Sequence, residues 1–331
     1  MEGKDDRENL PSRIVIQSYL LTTSKFQFNR HEKVVLLHLI EQMQPLLEGK
    51  KLRGKITLEQ TLWDEYYQCK IPLSDFGPDT NTKRYAEALL KLEDKRIDYW
   101  DEVEKLPQRI RIVTKPKFRK GIAYFEINKE LGDFFLDFSK GYSKFNIEIS
   151  FNLKSVYSMR FYELISNQTR PITYKISTLR EMFQLGEKYK LIGSFIQRII
   201  EPSKKELDEH SNWSFTYKMI KKGRKYEYIE LTPVHFKERE TDEQTKQDAI
   251  RRLHLSNFME GDLKNLLLKT CKFTSREIKN NLSTIQAFAK IFKEQSLNKI
   301  TEIWERAQSA KNPKGYLIGV MKLEIENYIN K

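Results

Sequence analysis

One order of predicted elements occurs twice in this chain, in consecutive stretches of similar length, and it restricts the possible folds more than any single motif. In the first stretch, "FNRHEKVVLLHLIEQMQPLL" carries Val35, Leu36, Leu39, Ile40 and Met43 at helical spacing. Asn29 before the run and Glu32 three residues on predict a capped start. "KITLEQTLWDEYYQCKIPL" is strand-rich towards its end. "TKRYAEALLKLEDKRIDYW" predicts a second helix, capped by Asn81 or Thr82, with Tyr85, Ala88, Leu89 and Leu92 as its apolar stripe. "RIRIVTKPKFRKGIAYFEIN" reads as two strands around a basic turn, "KPKFRKG", and Ile14–Leu21 as a further strand. After Ser150 the order returns. "LKSVYSMRFYELISNQ" is a helix and "ITYKIS" a short strand. "STLREMFQL" is a helix with Ser177 or Thr178 as cap and Glu181 placed for a capping box. "YKLIGSFIQRIIEPSKKELDEH" is a longer helix, and "WSFTYKMI" pairs with "KYEYIEL" as a hairpin around "KKGRK".

Helix, strand, helix, helix and hairpin in that order make a winged helix. In this variant of the helix-turn-helix the last helix enters the DNA major groove and the hairpin lies along the backbone. The expected fold class is therefore α+β: two tandem winged-helix domains followed by a small all-helical C-terminal region. The expected boundaries are a disordered 1–12, a first domain over 13–150, a second over 151–240, and a helical region over 241–331. The polar linker "TDEQTKQD" leads into that last region and "KNPKG" interrupts it.

The net charge of +13 favours a polyanionic partner, because summed Lys and Arg fields attract phosphate. On the long helix of the second stretch, Ile192, Phe195, Ile196, Ile199, Ile200 and Leu207 take one side. Ser194, Gln197, Arg198 and Lys205 fall mostly on the other. Gln and Arg can bond adenine and guanine edges through two hydrogen bonds each, so Ser194, Gln197 and Arg198 are the candidate base readers. The same pattern also describes an ordinary amphipathic helix with a solvated polar face. Pro202 predicts that this helix kinks, or ends and restarts. Lys188, Lys190 and Lys205, with Lys221, Lys222, Arg224 and Lys225 at the hairpin tip, are candidate contacts to the DNA backbone. Gly223 supplies the positive φ of a tight turn. In the first stretch the corresponding set is Asn81, Lys83 and Arg84 at the helix start and Lys115, Lys117, Arg119 and Lys120 in the basic turn. No Gln–Arg pair accompanies them, and this half serves DNA contact or dimerisation equally well.

Other chemistry lacks its residues. Cys69 and Cys271 lie far apart, which gives neither a disulfide framework nor a cysteine zinc site. "GKKLRGKI" has the glycine spacing of a phosphate-binding loop, but Ile56 replaces the hydroxyl residue that would hold magnesium. The five histidines include no close His-x-His pair, as a rolling-circle nicking enzyme would need. The sequence predicts no enzyme, no metal and no cofactor. "MEGKDDRENLPS" is not a signal peptide, and runs such as "VVLLHLI" are too short to span a bilayer, so no membrane role and a cytoplasmic location are expected.

The second stretch resembles a known family, the plasmid initiator replication proteins (RepE- and RepA-like, iteron-binding). The resemblance is carried by Tyr157–Ser158–Met159–Arg160–Phe161–Tyr162–Glu163–Leu164, then Leu179–Arg180–Glu181, Tyr189 with Phe195, Pro202 with Lys205–Glu206–Leu207, and Lys222–Gly223–Arg224. "KIPLSDFG" and "YAEALLKLEDKRIDY" are similar to the family's first winged-helix domain. The resemblance implies a bacterial, plasmid-encoded protein that binds double-stranded DNA at repeats (iterons) of the origin. It implies opening of adjacent AT-rich DNA and loading of a helicase, with a host helicase or initiator protein as partner. It also implies a homodimer, formed through the first domain, that represses its own gene. It places the main base reading around Ser194, Gln197 and Arg198. A winged-helix repressor without an initiation role remains the alternative on the same fold.

Overall fold

The structure is a computed structural model that describes residues 13–47, 52, 54–60, 65–101, 104–240 and 261–329. The expectations of a disordered 1–12 and of a linker at "TDEQTKQD" lie outside the described residues.

The first domain is built on α2 (Arg30–Leu47), whose Val34, Val35, Leu36, Leu37, Leu39 and Ile40 are all fully buried. Its start is fixed as the residues predict. Asn29 N–H donates to Glu32 Oε2 (2.8 Å), and Glu32 N–H donates to Asn29 Oδ1 (3.0 Å). Ahead of it, "IVIQSYLL" is not one strand. Strand β1 (Ile14–Ser18) stops at Ser18, and α1 (Tyr19–Thr23) follows. One edge of β1 pairs with β8 (Tyr142–Asn146). At Ile16 the Gln44 side chain bonds both backbone N–H (2.9 Å) and C=O (3.0 Å), which leaves nothing there for a further strand.

Strands β2 (Ile56–Gln60) and β3 (Glu65–Pro72) precede helix α3 (Lys83–Asp94). Strands β4 (Arg96–Asp101) and β5 (Leu106–Arg111) form a hairpin of their own after α3, and β6 (Thr114–Arg119) and β7 (Ile122–Asn128) follow. "KPKFRKG" is therefore not a turn but mostly strand β6. The turn is only Lys120–Gly121, where φ is 50° and 73°. Lys115, with φ 54°, makes a bulge between Thr114 and Lys117. Thr82 precedes α3 without a side-chain capping bond, and Asn81 does not cap it either. Asp79 organises this turn, accepting from Asn81 N–H (2.9 Å) and from Arg84 (2.9 Å). Helices α4 (Lys129–Phe135) and α5 (Ile147–Asn152) flank β8.

After α6 (Val156–Ile165), the second domain runs β9 (Ile172–Lys175), α7 (Ile176–Met182), α8 (Ile192–Phe195), α9 (Glu201–His210), β10 (Trp213–Lys222) and β11 (Lys225–His235). Its sheet order is β10-β11-β9, and that of the first domain is β6-β7-β3 with β2 added outside β3. The two sheets thus share one plan. Helix α7 starts at Ile176, before either predicted cap, and no side chain caps it. Glu181 instead pairs with Lys25 across the domains (2.6 Å). Pro202 neither ends nor restarts the last helix. Ile196–Ile200 form a π turn, in which Glu201 N–H reaches back to Ile196 C=O. The wider turn removes the clash that a proline ring meets in a regular one, and α8, the π turn and α9 run on as one helix.

Helix α6 joins the domains. Phe161 packs between Phe183 (5.2 Å) and Phe215 (5.1 Å) in the second domain. Arg160 and Glu163, on the same helix, reach the first. Arg160 donates to Thr22 C=O (3.1 Å) and Ser24 C=O (3.0 Å) and lies 3.8 Å over the Phe26 ring. Glu163 lies 2.7 Å from Lys33 Nζ, both fully buried, and accepts from Gln17. Charged groups this deep persist only when paired. The apolar core accordingly continues through both domains, from Val15 to Leu231.

The C-terminal region consists of α10 (Gly261–Asn265) with a π turn to Thr270, α11 (Ser275–Asn280), α12 (Leu282–Phe292), α13 (Ser296–Ala307) and α14 (Pro313–Ile329). It has its own core around Leu267, Ile285, Phe288, Ile300, Leu317 and Met321. It docks on the first domain. Gln286 accepts from Phe138 N–H (3.0 Å), Lys290 pairs with Asp137 (3.0 Å), and Leu282 enters the larger core.

Candidate nucleic-acid interface

The turn before the second domain's long helix is held by one side chain. Arg180 on α7 donates to the carbonyls of Gly186 (3.2 Å), Lys188 (2.7 Å) and Tyr189, and its guanidinium lies 5.8 Å over the Phe195 ring. Gln184, Gly186 and Tyr189 all have positive φ within this turn. The backbone is folded tightly around Arg180, so Lys188 and Lys190 project into solvent. Nothing local in the sequence marks Arg180 for this role beyond its place in the Leu179–Arg180–Glu181 pattern.

Gln197 and Arg198 are exposed on the long helix, and Ser194 is half-buried beside them. Phe195, Ile199 and Ile200 are buried on the opposite side, so the predicted division of faces is the one the helix adopts. Lys205 is exposed on the same helix and pairs with Glu209 (3.9 Å). Glu201, between these groups, accepts from the Tyr217 hydroxyl on β10 and so ties the helix to the hairpin. Burial, and then this bond to a carboxylate, push the Tyr217 hydroxyl up to about 12.

The hairpin turns through Gly223 (φ 64°) and Arg224. Lys221, Lys222, Arg224 and Lys225 are all exposed at its tip, with Lys221 Nζ 5.0 Å over the Tyr226 ring. Among the described residues, Lys188, Arg198, Lys222, Arg224 and Lys225 have no carboxylate within 4.0 Å. Lys190 does pair, with Glu187.

The first domain places its candidates differently. Asn81, Lys83 and Arg84 are exposed at the start of α3. Arg84 is paired with Asp79 (2.9 Å), which also binds His31 (2.9 Å). The His31 bond first, then the Asn81 N–H and Arg84, hold the Asp79 carboxyl well below the usual range. Lys115 is paired with Glu126 (2.8 Å), and that bond raises its ammonium pKa. Lys117, Arg119 and Lys120 are exposed without an acidic partner among the described residues. Among the described residues no group of three or more His, Cys, Asp or Glu is placed to hold a metal, and no helix is long and apolar enough to cross a membrane.

Two family models match the chain: the initiator replication protein first winged helix over residues 14–166, and the initiator Rep protein second winged helix over 175–233. Together they span well over half of it. This chain belongs to the initiator Rep protein family. The second match begins at the last residue of β9 and ends in β11 at Pro233, so it holds the turn, the long helix and all but the last two residues of the hairpin of this Rep protein. The first match runs through α6, which brings the buried Arg160 and Glu163 into the first Rep unit although α6 also packs on α9 and β10. Neither match reaches 261–329. A similar solved structure is that of the Pi initiator protein in complex with iteron DNA. It is 14% identical, with a TM-score of 0.51, over 67% of this Rep chain and 97% of that chain, and so shows a shared fold.

Proposed function

We propose that this Rep protein is a non-enzymatic plasmid replication initiator that binds iterons, the direct repeats of its origin, as double-stranded DNA. One observation carries the reading. Gln197 and Arg198 are exposed on one face of a helix tied to a hairpin whose tip holds four cations without acidic partners among the described residues, in a family of replication initiators. In this reading Ser194, Gln197 and Arg198 read base edges in the major groove. Lys188, Lys190, Lys205, Lys221, Lys222, Arg224 and Lys225 hold phosphates. The first domain adds contacts through Asn81, Lys83, Arg84, Lys115, Lys117, Arg119 and Lys120 and supplies the face for dimerisation. The Pi initiator, solved with iteron DNA, supports the choice of repeats as ligand. Initiation then requires opening of adjacent AT-rich DNA and delivery of a host helicase, with the C-terminal helices as the candidate contact. A homodimer would repress the chain's own gene. The work is done in the bacterial cytoplasm.

The test supplies the gene in trans to a plasmid whose only origin carries the repeats. Replication that Arg198→Ala abolishes supports the proposal. Repeat binding without replication would identify a repressor. Relaxation of supercoiled origin DNA by protein with a divalent metal would refute the non-enzymatic reading.

A further inference from the structure

The most exposed large apolar side chain among the described residues is Leu191, at 75%. It sits at the start of the long helix. Its backbone carbonyl accepts Phe195 N–H (3.0 Å), so the main chain of Leu191 serves the helix while its side chain touches little. Leu191, Ser194 and Arg198 fall at positions i, i+3 and i+7, on the face assigned above to base reading. An isolated exposed leucine needs no special cause on an ordinary surface. This one lies between Lys190 and the candidate base readers.

Two residues on stands Gly193, exposed, inside the first helical turn. A Cβ there would meet no heavy atom within 4 Å, and its φ is not in the left-handed region. Neither packing nor backbone conformation of this chain calls for glycine, which is the poorest helix former after proline. What remains is an outside surface that approaches the backbone closely.

We propose that Leu191 packs on the 5-methyl group of thymine in the major groove, and that Gly193 leaves the room for that approach. The inference rests on the long helix being the base-reading helix. The major-groove edges of the four bases carry acceptors, donors and one apolar group, the thymine methyl. An exposed leucine beside hydrogen-bonding readers matches that group and no other. Leu191 is thus a specificity residue for A·T pairs next to those read by Gln197 and Arg198.

The experiment uses the full chain and a duplex that it selects from a random-sequence pool. Each thymine of that duplex is replaced in turn by deoxyuridine, which removes only the methyl. The wild type is expected to lose about three- to ten-fold in affinity at one or two positions, the scale of burying a single methyl. Leu191→Ala is expected to bind the thymine duplex weaker by the same factor and to show no further loss at those positions. Its melting temperature should be unchanged, because the side chain is exposed. Gly193→Ala is expected to melt higher and bind the selected duplex less tightly. Deoxyuridine losses that persist in Leu191→Ala, or an absence of losses in the wild type, overturn the inference while leaving the helix as reader. A wild type that selects no sequence, or an Arg198→Ala protein with unaltered base preference, overturns the reading helix and this inference with it.

Discussion

The two winged-helix domains share a strand order, β6-β7-β3 against β10-β11-β9, and each turns its hairpin through two residues with a glycine. They differ in what answers their cations. In the first domain Arg84 is held by Asp79 and Lys115 by Glu126. In the second, Arg198, Lys222, Arg224 and Lys225 have no acidic partner among the described residues. The strands differ as well: β6 and β7 have 6 and 7 residues, β10 and β11 have 10 and 11. On the short wing Lys115 alone is compensated, and Lys117, Arg119 and Lys120 have no acidic partner among the described residues. A long wing with uncompensated charges is available to an external anion. Counting basic residues rates the two hairpins alike; strand length and the one carboxylate beside Lys115 separate them.

That contrast is broken or sharpened by substitution. The largest effect is expected from Arg198→Ala in the second domain. Its binding to the selected duplex should weaken by about 1–3 kcal/mol, with base preference relaxed at one position, read by repeating the selection. Equal losses on selected and scrambled duplexes would deny it a base-reading role. Next comes Lys222→Ala with Arg224→Ala, which should weaken binding to every sequence and flatten the log–log salt dependence by about two units. The matching first-domain pair, Arg84→Ala with Lys115→Ala, should alter that slope by less than one unit, since both cations already have partners. A first-domain change as large as the second-domain one would erase the contrast. A smaller effect of opposite sign is expected from Asp79→Asn with Glu126→Gln. Freed from their carboxylates, Arg84 and Lys115 should tighten non-specific binding and steepen the slope.

The smallest effect on DNA is expected at the joint that both domains share. Burial pushes the Lys33 ammonium down from 10.5 to about 8, against the pull of Glu163. Between those two values the unfolded chain binds the proton that the folded chain has released, so stability rises as pH climbs from about 8 to about 10.5. In Lys33→Met that rise should vanish from melting curves, with duplex affinity near neutral pH unchanged.

Much of the architecture was legible. The Asn29–Glu32 cap, the alternating hairpin strands and the repeated element order depend on residues near one another in sequence, and the family pattern around Arg160–Glu163 lies within one helix. The hidden parts depend on distant partners. Arg160 meets carbonyls 136 and 138 residues away, so its role as a buried tie could not be read from its neighbours. Glu181 had the spacing of a cap but was taken by Lys25, 156 residues distant. The strand hidden in "KPKFRKG" was masked by its charge, which an edge strand tolerates because one side faces water. Of the candidate site, the charged and amide groups were proposed from their chemistry. Leu191 and Gly193 were not, because an apolar residue and a glycine carry no such signature until their exposure is known.

The π turn at Ile196–Ile200 has a consequence for comparing sequences. Phe195, Ile199, Ile200, Ser203 and Leu207 are buried over a span of twelve residue steps. In a regular helix twelve residues would drift by about 120°; the π turn absorbs one residue and keeps all five on one side. The segment therefore contains the equivalent of a one-residue insertion with no loop to betray it. Aligned without a gap to a relative whose helix is regular, every position after Ile200 would be out of phase by about 100°. A buried residue would then be set against an exposed one, although the two helices superimpose.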